Sequence, residues 1–279
     1  VSATLSISFL ATLASGNHTI YVHGQDALGN WGSFNFAVLN LDKAGPSTAS
    51  VALVPNPTNG TVDVALSATG DDRATGNSNI VAAEYFIDAA GSPGSGAPMT
   101  VNLPAPMASL TATIPAATVA GLSQGSHTVY VHSRDSLGNW GTAATVALTV
   151  DKTGPTTGNV SAAPNPNNGA LGFNSSVAAV RVTAPFADNL SMVGAAEGFI
   201  DAVGTNGTGI IFIAGDGVFD SASEMGYSDI PLASIGALNN GNHTIYVHGK
   251  DSAGNWGAMS TTILVIDKAA PTISNVTLT

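Results

Sequence analysis

The stretches GNHTIYVHGQDALGNWG (residues 16–32), GSHTVYVHSRDSLGNWG (125–141) and GNHTIYVHGKDSAGNWG (241–257) are one pattern written three times. They hold all six histidines and all three tryptophans of the chain. Their equivalent histidines, at 18, 127 and 243, are spaced by 109 and 116 residues, so the repeating unit has the size of a domain rather than of a solenoid turn. Within each copy about seven β-branched and aromatic residues lead to an Asp-x-x-Gly-Asn turn and then to a second extended run, such as residues 142–150. That order predicts a β-hairpin with an Asx-rich loop. Each hairpin exits through Asp-Lys and a proline three residues after the lysine: DKAGP from Asp42, DKTGP from Asp151 and DKAAP from Asp267. Proline cannot donate to a sheet ladder, so these segments read as the links between domains.

Working outward from the hairpins, residues 46–154 carry one whole repeat and residues 155–270 a second with longer loops. Residues 1–45 hold the C-terminal part of another, and 271–279 read as the first strand of a further one. The middle repeat runs through VALVPNPTNG, an alternating TVDVALSAT, IVAAEYFID, MTVNL and SLTATIP before reaching its hairpin. About seven short strands separated by turn residues, with no helical period, predict an all-β chain of tandem antiparallel sandwiches. Residues 3–13 read as a strand as well.

Composition narrows the function. Charged residues make up 9%, seven basic against 18 acidic, for a net charge of −11. Without clustered Lys and Arg there is nothing to bind phosphates, so nucleic acid is excluded as a partner. No window is long and apolar enough to span a membrane, and the absence of cysteine leaves each domain to its own core. A lipase elbow, a phosphate loop and a His-Glu-x-x-His motif are all missing. Glu84 with Asp88, and Glu197 with Asp201, lie about 13 Å apart on one strand face, too far for paired-carboxylate hydrolysis. The chain is therefore expected not to be an enzyme.

The set Leu122, Gly125, His127, Val131, Asp135, Gly138, Asn139, Asp151 and Pro155, with its counterparts, resembles the bacterial immunoglobulin-like and fibronectin-III-like repeats of large extracellular proteins. The resemblance covers essentially the whole chain. It implies a secreted or cell-surface location and immunoglobulin-like sandwiches, and leaves function open.

Three groups of residues are candidates for a role. His18, His127 and His243 share the face of the inward valines and stand where related sandwiches place a corner residue, so a structural hydrogen bond is expected of them. Tyr21, His23 and Trp31, Tyr130, His132 and Trp140, and Tyr246, His248 and Trp256 would line an outer strip. Such a strip covers the sheet, or packs against a neighbouring chain, in preference to gripping a glycan. The sandwich topology would gather Asp42, Asp71, Asp72, Asp135 and Asn139 at the start of one domain, and Asp151, Asp188, Asn189, Asp251 and Asn255 at the start of the next. Oxygen clusters of this kind suit Ca²⁺ at a domain junction, with turn capping as the competing role.

These features point to an extracellular structural segment, a surface stalk, adhesin shaft or filament subunit that extends or assembles through end-to-end domains. Its partners would be copies of itself or neighbouring repeats of the same protein. The alternative is a module that binds cell-surface glycan or protein through the strip, within an adhesin or a secreted hydrolase. For the ends, one reading is a head-to-tail exchange in which residues 271–279 enter the incomplete first domain of the next copy. The other is a slice of a longer repeat protein.

Overall fold

The computed structural model describes residues 2–274 and 277. The chain forms two compact units. One comprises Val1–Asn56, Asp63–Thr118 and Ser126–Leu148; the other comprises Pro57–Val62, Val119–Gly125 and Thr149–Thr279.

The first unit opens with helix α1 (Ile7–Thr12) and a hairpin of β1 (Gly16–Val22) and β2 (Asn35–Leu41). The pair runs in register from Gly16 opposite Leu41 to Val22 opposite Asn35 and forms a two-stranded sheet of its own. The next strands are β3 (Ser47–Val54), β4 (Val64–Asp71), β5 (Ile80–Ile87), β6 (Ala97–Val101) and β7 (Met107–Ile114). Helix α2 (Ala116–Gly121), β8 (Gly125–Asp135) and β9 (Ala144–Val150) complete the repeat. Their order is β3-β4-β7-β6-β5-β8-β9. Strand β6 is the switch: Ala97 to Met99 pair with β5, whereas Thr100 and Val101 pair with β7. One short strand thus joins the two layers of a sandwich. Strand β4 alternates strictly between buried and more open positions, as a half-buried strand must. Its Leu66, together with Ile80, Leu110, Ile114, Val129, Val131 and Leu148, is almost wholly shielded. Each such side chain contributes roughly 1.5–3 kcal/mol by leaving water.

The second unit repeats the design with β10 (Thr156–Thr157), β11 (Ser161–Ala163), β12 (Ala179–Ala187), β13 (Val193–Ile200), β14 (Ile210–Ile211), β15 (Ile213–Ala214) and β16 (Ser223–Pro231). Helix α3 (Leu232–Ala237), β17 (Gly241–Asp251) and β18 (Ser260–Ile266) follow. One sheet runs β10-β12-β16-β15, the other β14-β13-β17-β18. Ile210–Ile211 and Ile213–Ala214 divide between the two sheets the role that β6 plays alone. Val180, Val182, Phe186, Val193, Ile230, Ile245, Val247 and Leu264 from both layers make the core.

Residues 3–13 differ from expectation, because Ile7–Thr12 is a helical turn, capped by Ser6 Oγ accepting from Phe9 N at 3.1 Å. The same six-residue turn precedes the hairpin strand in each copy, as α1, α2 and α3. Six residues are too few to nucleate alone or to show a period. Their unpaired C-terminal carbonyls are instead taken by the linker lysines. Lys43 Nζ donates to Ala11 O and Leu13 O (2.8 and 2.7 Å), Lys152 Nζ to Ala120 O and Leu122 O (2.7 and 2.6 Å), and Lys268 Nζ to Gly236 O and Leu238 O (2.7 and 2.6 Å). A cation at a helix C-terminus meets both the orphan carbonyls and the dipole. In the segment read as a first strand, residues 271–274 are not in a strand, and residues 275, 276, 278 and 279 lie outside the described residues.

Candidate functional site

The Asp-x-x-Gly-Asn turn is wired the same way in each copy. Asp135 Oδ1 accepts from the Leu137 and Asn139 amides (both 2.9 Å), and its Oδ2 accepts from Asn139 Nδ2 (2.8 Å). Asp251 accepts likewise from Asn255 N and Nδ2, both at 2.7 Å. Asp26 does the same with Leu28 and Asn30. The asparagine amide then reaches the linker: Asn139 Nδ2 donates to Asp42 O (3.4 Å) and Asn255 Nδ2 to Asp151 O (2.9 Å). Beside this loop the backbone closes tightly. A Cβ on Gly141 would overlap the Pro46 carbonyl, and one on Gly257 the Pro155 carbonyl, which explains the glycine after Trp140 and after Trp256.

This wiring carries three carboxylates to one place. Asp42, from the linker, Asp72, after β4, and Asp135, at the end of β8, each have an oxygen within 4.8 Å of the others, and all three are buried. Asp151, Asp188 and Asp251 form the same arrangement in the second unit, with Asp188 half-buried. Short hydroxyl bonds tie the linker aspartates in: Ser78 Oγ to Asp42 Oδ2 and Ser191 Oγ to Asp151 Oδ2, both 2.6 Å. Thr75 Oγ1 donates to Asp72 at 2.5 Å. None of the ion pairs among the described residues includes these six carboxylates. Burial, helped by the neighbouring Asp151 charge, pushes the Asp251 carboxyl up from its ordinary value against the hydrogen bonds from Asn255.

Four of the residues expected at these sites stand in other roles. Asp71 points to Arg73, whose guanidinium grips it at 3.0 and 2.7 Å and holds its carboxyl at about 2. Asn139 and Asn255 turn their amide nitrogens, not their oxygens, toward the aspartates. Asn189 is exposed, on the turn that Asp188 caps through the Leu190 and Ser191 amides. Ser78 and Ser191 were not legible, because they sit in loops of unequal length with no shared spacing.

The histidines divide into two classes. His127 Nδ1 faces Asp88 Oδ2 at 2.8 Å, and His243 Nδ1 faces Asp201 Oδ2 at 2.7 Å. His243 Nε2 also meets Asn239 O (2.9 Å), as His18 Nε2 meets Ala14 O (2.8 Å). Asp88 and Asp201 adopt φ of 65° and 60°, so a turn residue and a corner ring lock one another. Asp201 first, then Asn239, raises the His243 pKa, and His243 lowers that of Asp201 in return.

The second class departs from the expected outer strip. His132 and His248 are 6% and 2% exposed, because Trp140 and Trp256 lie over them at 4.6 and 4.5 Å between centroids. Arg134 and Lys250 flank the outer indole faces at 5.6 and 5.8 Å. Below, His132 Nε2 meets Glu84 Oε1 at 2.7 Å, and His248 Nε2 meets Glu197 Oε1 at 3.0 Å. Each glutamate also accepts two loop amides: Gly94 and Gly96 for Glu84, both 2.7 Å, and Gly207 and Gly209 for Glu197, 2.8 and 2.7 Å. Burial raises the Glu197 carboxyl, but those amides and His248 outweigh it and the net shift is downward. Spacing placed the glutamates on strands but could not reveal that they face histidines across the sheet. In the first hairpin Tyr21 and Trp31 remain open, at 65% and 59%.

No family model matches the chain, and no curated protein does. Solved structures do. The fibronectin(III)-like modules of Clostridium thermocellum CbhA align over 81% of this chain and all of theirs, at 16% identity and TM-score 0.35. A Ca²⁺-stabilised adhesin with which an Antarctic bacterium binds ice aligns over 92% of this chain and 58% of its own, at 17% and 0.33. The D00-D0 domain of intimin aligns over 79% of this chain and 99% of its own, at 12% and 0.28. The chain is an all-β protein of immunoglobulin-like sandwich fold.

Proposed function

We propose that the chain is a non-enzymatic, load-bearing segment of an extracellular surface protein, a stalk, adhesin shaft or filament subunit, with residues 46–154 and 155–270 as its complete domains. The observation that carries this reading is the two-way linker. In the first two Asp-Lys dipeptides the lysine closes the helix that precedes its own hairpin, while the aspartate is bonded by residues that follow it: Ser78 and Asn139 for Asp42, Ser191 and Asn255 for Asp151. A linker bonded on both sides has no slack, which suits transmission of force and not free reorientation. Partners would be neighbouring repeats or further copies. No helix among the described residues is long and apolar enough to cross a membrane.

A Ca²⁺ ion at each carboxylate trio belongs to the same proposal. Three clustered carboxylates, all buried in the first trio and two of three in the second, have no cationic side chain paired with them, and a hard divalent cation takes oxygen ligands of this type. The glycan-gripping strip is less well supported, because two of its three histidines lie beneath tryptophan.

Pulling single molecules by their ends tests the reading. Two cooperative force peaks, each releasing roughly 380 Å of contour for about 110 residues, are expected in calcium, with lower peaks in chelator. Extension without cooperative peaks would remove the load-bearing role. Saturable glycan binding abolished by Trp140→Ala and Trp256→Ala would replace it with a recognition module.

A further inference from the structure

In each complete repeat one sheet ends on a strand that invites pairing. Strand β9 closes the order β3-β4-β7-β6-β5-β8-β9, and β18 closes the order β14-β13-β17-β18. Their sequences, ATVALTV and STTILVI, are rich in β-branched residues and hold no charge, proline or glycine. Ile263 of β18 is 43% exposed. A neutral edge strand of this composition is a template for another chain, and sheets ordinarily blunt such edges with lysine, proline or a bulge.

Here a short segment of the same repeat lies along the edge instead. On β18, Asn165 Nδ2 donates to Ile263 O at 2.7 Å, and Asn165 Oδ1 accepts from Val265 N at 2.9 Å. Two residues on, Asn167 N donates to Val265 O and Asn167 O accepts from Asp267 N, both at 2.9 Å. Asn167 and Ile266 form a single parallel bridge. Backbone groups of every second residue face one edge, so all those from Ile263 O to Asp267 N are taken. On β9 the segment that ends in Pro-Asn-Pro-Thr does the same: Asn56 Nδ2 donates to Ala147 O at 2.8 Å, and Thr58 bonds Thr149 O and Asp151 N at 3.0 and 2.9 Å.

The residue types suit this task. A carboxamide presents a C=O and an N–H in one plane, as a peptide group does, so one asparagine side chain serves an acceptor and a donor of the strand. Asn165 is itself exposed and fills no core. Asn167, 1% exposed, holds the segment in shape: its Oδ1 accepts from Gly169 N at 2.7 Å and its Nδ2 donates to Leu171 O at 2.8 Å. Between the bonding positions stand Pro57 and Pro166, which have no N–H to offer outward, so the covered edge cannot be extended in turn.

We propose that segments 55–58 and 164–167 are edge guards, strand surrogates that deny β9 and β18 to a strand of a second copy. A second copy is the partner excluded, because two neutral edges meeting across a two-fold axis are self-complementary and nothing in either sequence repels the other. The guard acts whether or not the chain bears load or binds calcium.

The test uses the whole chain carrying Asn165→Ala, with sedimentation over a concentration series and residue-resolved amide exchange. In the unaltered chain the Val265 amide should exchange slowly at every concentration. In the variant it should exchange roughly tenfold faster in dilute solution, as loss of one or two hydrogen bonds implies. On concentration the variant should dimerise, and exchange should slow again along residues 260–266. Adding Ile263→Lys should abolish the dimer while the Val265 amide stays fast, since a charge on the edge opposes pairing. Should near-UV circular dichroism show that Asn165→Ala has lost its fold, Asn56→Ala puts the same question to β9, with dimers that protect residues 144–150 as the expected result and a folded monomer as the contrary one. A folded Asn165→Ala chain that stays monomeric, dimers that protect other residues or survive Ile263→Lys, or fast exchange at Val265 in the unaltered chain would overturn the proposal.

Discussion

Replacing Glu84 by alanine should destabilise the middle repeat more than any other single carboxylate removal. Glu84 is 3% exposed and accepts three bonds at 2.7 Å, from His132 Nε2 and from the Gly94 and Gly96 amides. Hydrogen bonds to a charged group contribute roughly 1.5–3 kcal/mol each, and removing one partner of a buried pair costs about 3–5 kcal/mol, because the remaining partners are left buried and unpaired; the recovered desolvation of the lost carboxylate keeps the total below the sum of the bonds. The expected loss for Glu84→Ala is therefore about 3–4 kcal/mol. For a domain near this size that lowers the transition by ten degrees or more, at about 4 °C per kcal/mol. Glu84→Gln keeps the volume and part of the acceptor capacity, and should lose roughly half as much. Trp140, stacked on His132 at 4.6 Å, reports the transition once Trp31→Phe and Trp256→Phe silence the other two indoles. Urea titration of this single-tryptophan background measures the difference directly. A loss below about 1 kcal/mol for the alanine variant would refute the reasoning.

Four further outcomes follow from the same contacts. Lys152→Met should lower the urea midpoint by about 1 kcal/mol through loss of the helix cap at Ala120 and Leu122, with no change in the strand signal. Gly257→Ala should cost about 1–3 kcal/mol or more in a melting experiment, because its Cβ overlaps the Pro155 carbonyl. The Asp201–His243 pair has a sign that pH can read. The raised His243 value makes its contribution complete below about pH 6.5, fading as pH rises through the folded value; the lowered Asp201 value makes its share complete above about pH 3.8, fading on acidification. Stability from this pair is thus expected between about pH 4 and 6.5, and Asp201→Asn should flatten the decline above that window in urea titrations repeated across pH. Finally, calcium at about a hundred times its Kd should raise stability by about 2.7 kcal/mol per site. Asp72→Asn and Asp251→Asn should each abolish one increment in calorimetry, and affinity should climb with pH because the raised Asp251 carboxyl must release its proton.

Most of the fold was legible because period-two alternation and turn chemistry are local signals. TVDVALSAT and IVAAEYFID become β4 and β5 with boundaries displaced by a few residues at most. The three helical turns were not legible, since six residues such as AATVAG carry no period and hold their shape through a lysine some thirty residues later. The site was legible in part. Asp42, Asp72 and Asp135, and Asp151, Asp188 and Asp251, meet as the topology implied, since loops after alternate strands converge at one end of a sandwich. Asp71 differs because Arg73 two residues on captures it, a contact that position in a loop does not disclose. His132 and His248 lie inside because the indole eight residues further along the chain folds back over them, and no strand alternation encodes that.

The central claim is that the Asp-Lys-x-x-Pro linkers are folded parts of the structure and not tethers. Amide hydrogen exchange across residues 42–46 and 151–155 tests it most directly. Ala44 N is bonded to Asp42, Asp151 N to Thr58 O at 2.9 Å, and Thr153 N to Asp151. Exchange at these amides as slow as in the neighbouring strands, and faster after Asp42→Ala or Asp151→Ala, is the predicted result. Exchange at the rate of an unstructured peptide in the unaltered chain would contradict the account.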